Sequence, residues 1–318
     1  MVDLLFDFAY SETGMFITSL LRATLRMSIP LGFAELGAMY SERVGVVNIG
    51  LEGLMLFGAF FGVAGSFYTG SAVLGVLIGV LGAAVCGFLF AVFTVHFKAD
   101  HIVSGVAVNL LGLGLTTVWL SAIWGNRGKS DDVARIEFWS WTAVRDWPIL
   151  GDLFGRQTPF LYLLVLVVIV SWVFLFRTRW GLHVRGIGEH PHAADSLGIA
   201  VETYQMVFVT LSGALAGLGG VYLSLGDLAH FGRDMTAGRG FIALAANILG
   251  NWNPVGGFLA SLLFGFANAL QMRIQGFGIP SQFTQMLPYV LTIVVLAGVV
   301  KKVRGPAAAG KTFERGEA

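Results

Sequence analysis

Polar side chains interrupt an otherwise apolar sequence between residues 42 and 55, which read ERVGVVNIGLEGLM. Asn48, Glu52 and Met55 recur at helical spacing, so a helix here would gather an amide, a carboxylate and a thioether on one face. Two roles are open for that face. The groups line a polar path through a membrane protein, or they stabilise a break in a helix, because Asn48 suits a helix start and Glu52 would follow in the positive first turn.

A second polar group begins near Arg239, which lies between two glycines. Asn247 and Asn251 are four residues apart, so a continuous helix would place both amides on one face. Path lining and interhelix hydrogen bonding explain them equally well. Asn109, alone in its apolar segment, fits interhelix bonding better than ligand binding. The candidate path residues are Asn48, Glu52, Met55, Asn109, Arg239, Asn247 and Asn251.

Two other motifs invite chemical interpretations that we do not adopt. Residues 305–312 read GPAAAGKT, which matches the Walker A pattern, but that pattern binds phosphate only between a strand and a helix. Here an apolar segment precedes it and a short tail follows, so we interpret it as a chance match. The histidines of HVRGIGEHPH lack a cysteine partner and are typical of a solvated loop. The sequence predicts no catalytic site, no metal and no cofactor.

The composition places these residues in a membrane protein. Of 318 residues, 56% are hydrophobic and 12% charged, with a mean hydropathy of +0.76. An ordinary soluble domain is roughly one-quarter charged. A net charge of +1 argues against nucleic-acid binding. The single cysteine, Cys86, excludes an intrachain disulfide, and the acidic N-terminus lacks the basic region of a cleaved signal peptide.

Long apolar segments predict an all-α, polytopic fold with roughly eight to ten membrane helices, each of about 20 residues. Pro30, Pro254 and 43 glycines favour broken or re-entrant elements. Arg22 and Arg26 suit an interfacial helix before the chain enters the membrane at Pro30. The candidate spans are 14–40, 49–70, 72–97, 102–124, 159–177, 203–226, 240–271 (one broken element or two short ones) and 286–300.

Small residues recur at every fourth position in three of these segments. Such stripes let helix backbones approach closely, so they predict tight helix packing and no particular substrate. The stripes are Gly58, Gly62, Ser66 and Gly70; Gly75, Gly79, Ala83, Gly87 and Ala91; and Ser212, Ala216 and Gly220.

The charge distribution predicts how the chain is oriented. Lysine and arginine concentrate in the loop 177–200 and after residue 300, so the positive-inside rule places both in the cytoplasm. The segment 125–158 is mixed in charge, and its tryptophans at 139, 141 and 147 suit the interface on the other side. We predict one transmembrane domain over 1–304 and a disordered cytoplasmic tail over 305–318.

Three stretches together resemble one family. They are SERVGVVNIGLEGLMLFGAFFG (41–62), RGIGEHPHAADSLGI (185–199) and MTAGRGFIALAANILGNWNPVGG (235–257). They are similar to the permease subunits of bacterial ABC importers, and most to the nucleoside-type importers that work with basic-membrane-lipoprotein binding proteins. The second stretch is looser and is shared with sugar and branched-chain amino-acid permeases. The resemblance extends over residues 14–300.

This resemblance implies a multi-pass permease domain in the bacterial inner membrane, with two inverted halves around a central path. It implies a cytoplasmic ATPase, commonly a tandem duplication, a second related permease, a lipid-anchored solute-binding protein and a nucleoside solute. The loop 178–200 would dock on the ATPase and transmit its motion; the alternative is an ordinary positive loop. The candidate coupling residues are Arg185, Gly188, Glu189, Ala193, Ala194 and Gly198.

Two other functions stay open. A monosaccharide or another small polar solute would suit the same kind of permease. A secondary transporter or channel would act without an ATPase, but it needs coupling-ion sites within the membrane. The apolar segments offer few convergent carboxylates for such sites.

Overall fold

The structure is a computed structural model. It describes residues 12–140, residues 151–275 apart from 152 and 154, single positions between 283 and 298, and residues 304–314. Most of the predicted span 286–300 lies outside the described residues, as do the N-terminal segment 1–11, Trp141, Trp147 and residues 315–318.

Helices dominate the described part of the chain. Six helices in this part are long and apolar enough to cross a membrane: Leu51–Thr69, Ala72–His96, His101–Trp124, Pro159–Arg177, Val201–Leu228 and Pro254–Ile274. The second and fifth of them include π-helical extensions over Val92–His96 and Tyr222–Leu228. The predicted all-α membrane fold is confirmed. The helices are α1 (Glu12–Glu42), α2 (Leu51–Thr69), α3 (Ala72–Ala91), α4 (His101–Trp124), α5 (Pro159–Arg177), α6 (Arg179–Glu189), α7 (Pro191–Ser196), α8 (Val201–Val221), α9 (Arg239–Leu249) and α10 (Pro254–Ile274), and a short antiparallel pair joins β1 (Trp139–Ser140) to β2 (Arg156–Gln157).

Helix α1 continues through Pro30, so the predicted helix break at this residue is wrong. The predicted membrane entry at Pro30 stays a prediction. Helix α8 packs closely here, because a Cβ added to Gly219 would lie 2.8 Å from the Pro30 carbonyl oxygen. Arg26 forms an ion pair with Asp227 in the extension of α8. The first half of α1 is therefore fastened to the rest of the protein and is not a separate interfacial helix.

Glycines bring α2, α3 and α8 into backbone contact. An added Cβ on Gly58 would lie 2.4 Å from the Gly217 carbonyl oxygen, and one on Gly79 would lie 2.7 Å from the Gly58 carbonyl oxygen. An added Cβ on Gly220 would lie only 1.9 Å from the Met55 carbonyl oxygen. The close packing predicted from the small-residue stripes is confirmed. These helices leave no room for even a methyl group at their crossing points.

The segment predicted as one broken or two short elements consists of two helices. Helix α9 ends at Leu249, and α10 begins at Pro254, where the Asn253 side chain accepts a hydrogen bond from the N–H of Val255 at 3.0 Å. The turn between them holds Asn251 at φ 56° and Trp252 at φ 53°, a conformation that bulky residues rarely adopt. The spacing predicts that Asn247 and Asn251 share a helix face. Because α9 ends before Asn251, the two residues do not share one.

The loops collect at two opposite ends of the bundle. Where α2 ends, the Ser66 hydroxyl donates to the Ala134 carbonyl, and residues 130–136 hydrogen-bond to residues 225–231. Where α2 begins, the N–H of Gly310 donates to the Gly45 carbonyl at 2.9 Å. The described part of 125–158 thus lies at the opposite end from the tail, as a transmembrane arrangement requires. Which end is cytoplasmic stays a prediction.

Residues 304–314 pack against the protein, which differs from the disordered tail predicted over 305–318. Ala308 and Phe313 are buried. The N–H of Ala308 donates to the Gly188 carbonyl at 2.9 Å, and that of Gly310 is also used within the chain. The backbone donors of this Walker-like string therefore bind carbonyl groups of the protein. Its small residues permit the close approach, but only the folded surface provides the partners.

We expect Gly220→Ala to destabilise the protein by about 1–3 kcal/mol, because the new methyl group overpacks the contact with α2. Gly114→Ala is the matched control: it too lies inside a helix, but a Cβ there meets nothing within 4 Å. The control should leave stability unchanged or raise it by up to about 1 kcal/mol through helix propensity. Thermal unfolding in detergent compares the two, and equal unfolding temperatures would contradict the packing described here.

Candidate functional site

The carboxylate of Glu52 lies at the N-terminus of α9. It accepts hydrogen bonds from the Thr236 hydroxyl at 2.5 Å and from the N–H groups of Gly238 at 2.7 Å and Gly240 at 2.6 Å. N–H groups at a helix start have no partner within the helix, and the helix dipole there favours an anion. Glu52 is itself buried. It therefore caps a helix far away in sequence, whereas the sequence had suggested a role in the start of its own helix.

Two glycines allow this approach. Gly238 has φ 81°, a left-handed conformation that costs glycine little. At Gly240 an added Cβ would lie 2.5 Å from the backbone nitrogen of Glu52. The polar stretch 42–55 and the polar group that begins near Arg239 thus meet inside the bundle.

Two asparagines hold the start of α2 in place. Asn48 is fully buried, and its side-chain amide donates to the Ser212 hydroxyl at 3.0 Å. Ser212 lies roughly 16 Å from the start of α8, at a rise of about 1.5 Å per residue. From α4, Asn109 accepts from the N–H of Gly53 at 2.8 Å and donates to the Ile49 carbonyl at 3.0 Å. Both amides are satisfied by groups of the protein. The helix break before α2 is thus held well inside the bundle.

A second buried carboxylate, Glu42 at the end of α1, holds the turn between α9 and α10. The side-chain amide of Asn247 donates to Glu42 Oε2 at 3.1 Å, and the indole N–H of Trp252 donates to the same oxygen. The Trp252 carbonyl accepts two hydrogen bonds from the Arg43 guanidinium, at 2.9 and 2.6 Å. These bonds fix a tryptophan in an otherwise unfavourable left-handed conformation.

The other path candidates lie in different surroundings. Met55 is fully buried against Gly220 of α8. Arg239 is half-buried, and its guanidinium donates to two carbonyls of the preceding turn, at 3.1 and 3.0 Å. Asn251 is exposed in the turn after α9. The prediction that these residues, with Asn48, Glu52, Asn109 and Asn247, line a path stays a prediction.

Glu35 was missed by the sequence reasoning. It is fully buried in α1, and neither carboxylate oxygen has a hydrogen-bond partner among the described residues. Its carboxyl group lies against Gly257 of α10, where an added Cβ would lie 1.8 Å from Oε1. Glu35 is the only acid in the apolar segment 14–40, which is the signal that could have identified it. An unpaired carboxylate in such a place is costly.

Three of the coupling candidates face the protein interior. Gly188 packs on the Arg43 carbonyl, which an added Cβ would approach to 2.4 Å, and Ala194 is buried. Arg185 covers an aromatic ring of α5, 5.1 Å from its centre. Burial lowers the pKa of the Arg43 guanidinium, Arg185 lowers it further, and Glu189 raises it. These residues fix the position of α6 and α7 on the bundle.

The other three candidates face outward. Glu189, Ala193 and Gly198 line a groove of about 710 Å³ between α6, α7 and the start of α8, which the buried Ala194 also borders. Leu197 at its edge is 81% exposed. An apolar, open groove between short helices is suited to receive another protein surface.

The histidines of this region do not form a metal site. The His183 ring nitrogen Nδ1 lies 2.8 Å from the Tyr204 hydroxyl, and the His192 ring packs against Phe313. Among the described residues, no group of three or more His, Cys, Asp or Glu side chains is placed to hold a metal ion.

We expect Glu52→Gln to destabilise the protein by about 2–3 kcal/mol, because its amide nitrogen would face N–H donors in a buried site. Thr236→Val removes one donor and should cost about 1 kcal/mol. The double variant should be less destabilised than the sum, with a coupling of about 0.5 kcal/mol or more. Thermal unfolding in detergent measures the cycle, with Glu189→Gln as a control at an exposed carboxyl. Strict additivity would contradict the direct contact.

Comparison with known proteins gives the family. Residues 20–296 match the family model described as "Branched-chain amino acid transport system / permease component". The nucleoside ABC transporter permease protein NupC of Lactococcus lactis subsp. cremoris is 42% identical over 297 residues, covering 90% of this chain and 93% of that protein. The guanosine ABC transporter permease protein NupQ of Bacillus subtilis is 38% identical, covering 93% and 96%.

Other relatives are more distant. TsgC13 of Haloferax volcanii, a proposed glucose ABC transporter permease protein, is 32% identical to this chain. The match covers 90% of this chain and 92% of that protein. Lactococcus lactis and Bacillus subtilis each have a second related permease, NupB at 23% and NupP at 25% identity. Permeases of this kind are transport components rather than enzymes. The chain belongs to the branched-chain amino acid transport system permease family, whose members are the membrane subunits of ABC transporters.

Proposed function

We propose that this chain is the permease subunit of an ATP-driven importer of nucleosides in the bacterial inner membrane. The observation that carries the proposal is the 42% identity to a nucleoside permease over 90% of the chain. The guanosine permease at 38% identity points to the same class of solute.

The complex we propose contains a second, related permease. The two organisms with the nucleoside and guanosine relatives each have two permeases that resemble this chain at different identities. This supports a heterodimer with the path between the two subunits. A lipid-anchored binding protein would deliver the solute at the end that holds residues 125–140.

The ATPase, which we expect to be a tandem duplication, would dock on α6, α7 and the start of α8. This face carries the open groove and the exposed Leu197. Glu189, Ala193 and Gly198 would contact the ATPase, whereas Arg185, Gly188 and Ala194 would hold the coupling helices on the bundle. Motion of the ATPase would then reach the membrane helices through these inner contacts.

A glucose relative at 32% identity supports a monosaccharide as the second candidate solute. The permease, its partner permease, the ATPase and the binding protein, reconstituted together in liposomes, separate the candidates. We expect nucleosides to stimulate ATP hydrolysis and to accumulate in the vesicles, while free ribose and glucose do neither. Omitting the binding protein and inactivating the ATPase are the controls.

Two outcomes would overturn the proposal. Stimulation by glucose without stimulation by nucleosides would assign the chain to the monosaccharide class. Accumulation of nucleoside by this chain alone, driven by an ion gradient, would instead identify a secondary transporter.

A further inference from the structure

Residues 304–314, here called the C-terminal strap, cross the face on which α6 and α7 lie. The strap contains the string that matches a Walker A pattern, but a permease subunit does not itself bind the ATP. Along its length it contacts five separate parts of the chain: the turn between α9 and α10, the end of α6, the loop before α2, α7, and Lys98 just before α4.

The strap begins against the turn between α9 and α10. An added Cβ on Gly305 would lie 2.8 Å from Cη2 of the Trp252 indole. Trp252 is the residue that bonds to Glu42 and Arg43 and that has a left-handed backbone. The start of the strap therefore touches a turn that holds two non-glycine residues at positive φ.

The middle of the strap is bonded to two backbones. The N–H of Ala308 donates to the carbonyl of Gly188 at the end of α6, and the N–H of Gly310 donates to the carbonyl of Gly45 before α2, both at 2.9 Å. Gly310 and Gly45 both have positive φ, at 80° and 90°. The strap thus ties the last turn of α6 to the loop that enters the helix break.

The end of the strap is anchored by Phe313, which is 4% exposed. Its ring packs on the His192 ring of α7, with centroids 5.1 Å apart. Its carbonyl accepts a hydrogen bond from Lys98 Nζ at 2.6 Å, and the same Nζ bonds to Glu202 at 2.8 Å. Phe313 also borders a cavity of about 220 Å³ formed by the turn between α7 and α8. The one large apolar side chain of the strap is therefore buried against the turn between α7 and α8, where it anchors the end of the strap.

We propose that the C-terminal strap is a positioning element of the transport cycle, which ties the α6–α7 segment to the turn between α9 and α10. This rests on the proposed function, in which the ATPase docks on α6 and α7. A displacement of α7 acts on Phe313, and the strap passes it to Gly188, Gly45 and Trp252. Trp252 in turn is bonded to Glu42, the carboxylate that also holds α9 through Asn247.

The test is Phe313→Ala in the reconstituted complex. We expect the ratio of nucleoside transported to ATP hydrolysed to fall about fivefold or more, the lower range of measured allosteric couplings. Phe313→Leu, which keeps an apolar side chain, should restore the ratio. Lys311→Ala and Thr312→Ala are matched controls, because both side chains are exposed; they should leave the ratio unchanged although they destroy the Walker-like string.

Hydrogen exchange of the peptide covering 191–199 provides a second measurement that does not depend on transport. We expect faster exchange in Phe313→Ala than in the wild type, at a temperature where both complexes stay assembled. An unchanged exchange rate, or faster exchange with an unchanged ratio, would overturn the proposal. If the wild-type complex shows no nucleoside-stimulated hydrolysis, the proposed function fails, and an unchanged exchange rate in Phe313→Ala would show separately that the strap does not hold α7.

Discussion

The hydrogen bonds of Glu52, a buried carboxylate at the start of the short helix α9, determine how the interrupted parts of this bundle meet. Glu52 receives three hydrogen bonds from residues 236–240, more than 180 positions later in the chain. A charged carboxylate inside an apolar bundle costs less free energy when hydrogen-bond donors surround it. Helix α9 supplies two such donors from its unpaired N–H groups and adds its dipole. The bond therefore joins the helix break before α2 to the broken α9–α10 element.

The surrounding polar side chains complete the same task. Asn48 and Asn109 fasten the start of α2 to α8 and α4, and Glu42 fastens α9 and the following turn to α1. Irregular backbone within a membrane bundle has to satisfy its polar groups inside the protein. The two interrupted parts of the chain are bonded to each other through Glu42, Arg43 and Glu52. Hydrogen bonds of this kind let a transport subunit hold non-helical backbone inside the membrane without exposing it to lipid.

Local pattern predicted much of the fold, and distance along the chain explains most of what it missed. Apolar length found the spanning helices, and fourth-residue spacing found the glycine contacts, because both are properties of a single helix. The interruption after Leu249 agrees with the break that Pro254 and the many glycines predicted. The partners of Glu52, the burial of Glu35 and the docking of residues 304–314 depend on segments that meet only after folding. Asn251 and Pro30 were misjudged because spacing and residue type do not show where a helix stops once its neighbours pack against it.

Amide hydrogen exchange at residues 236–241 shows whether the Glu52 carboxylate holds the start of α9. We expect the N–H groups of Gly238 and Gly240 to be protected in the wild type and Glu52→Gln to lower this protection roughly tenfold or more, since a hydrogen bond to a charged group contributes about 1.5–3 kcal/mol. Peptides within α4 beyond Asn109, away from this contact, should exchange as in the wild type. Equal protection of residues 236–241 in both proteins would show that the Glu52 carboxylate does not hold α9.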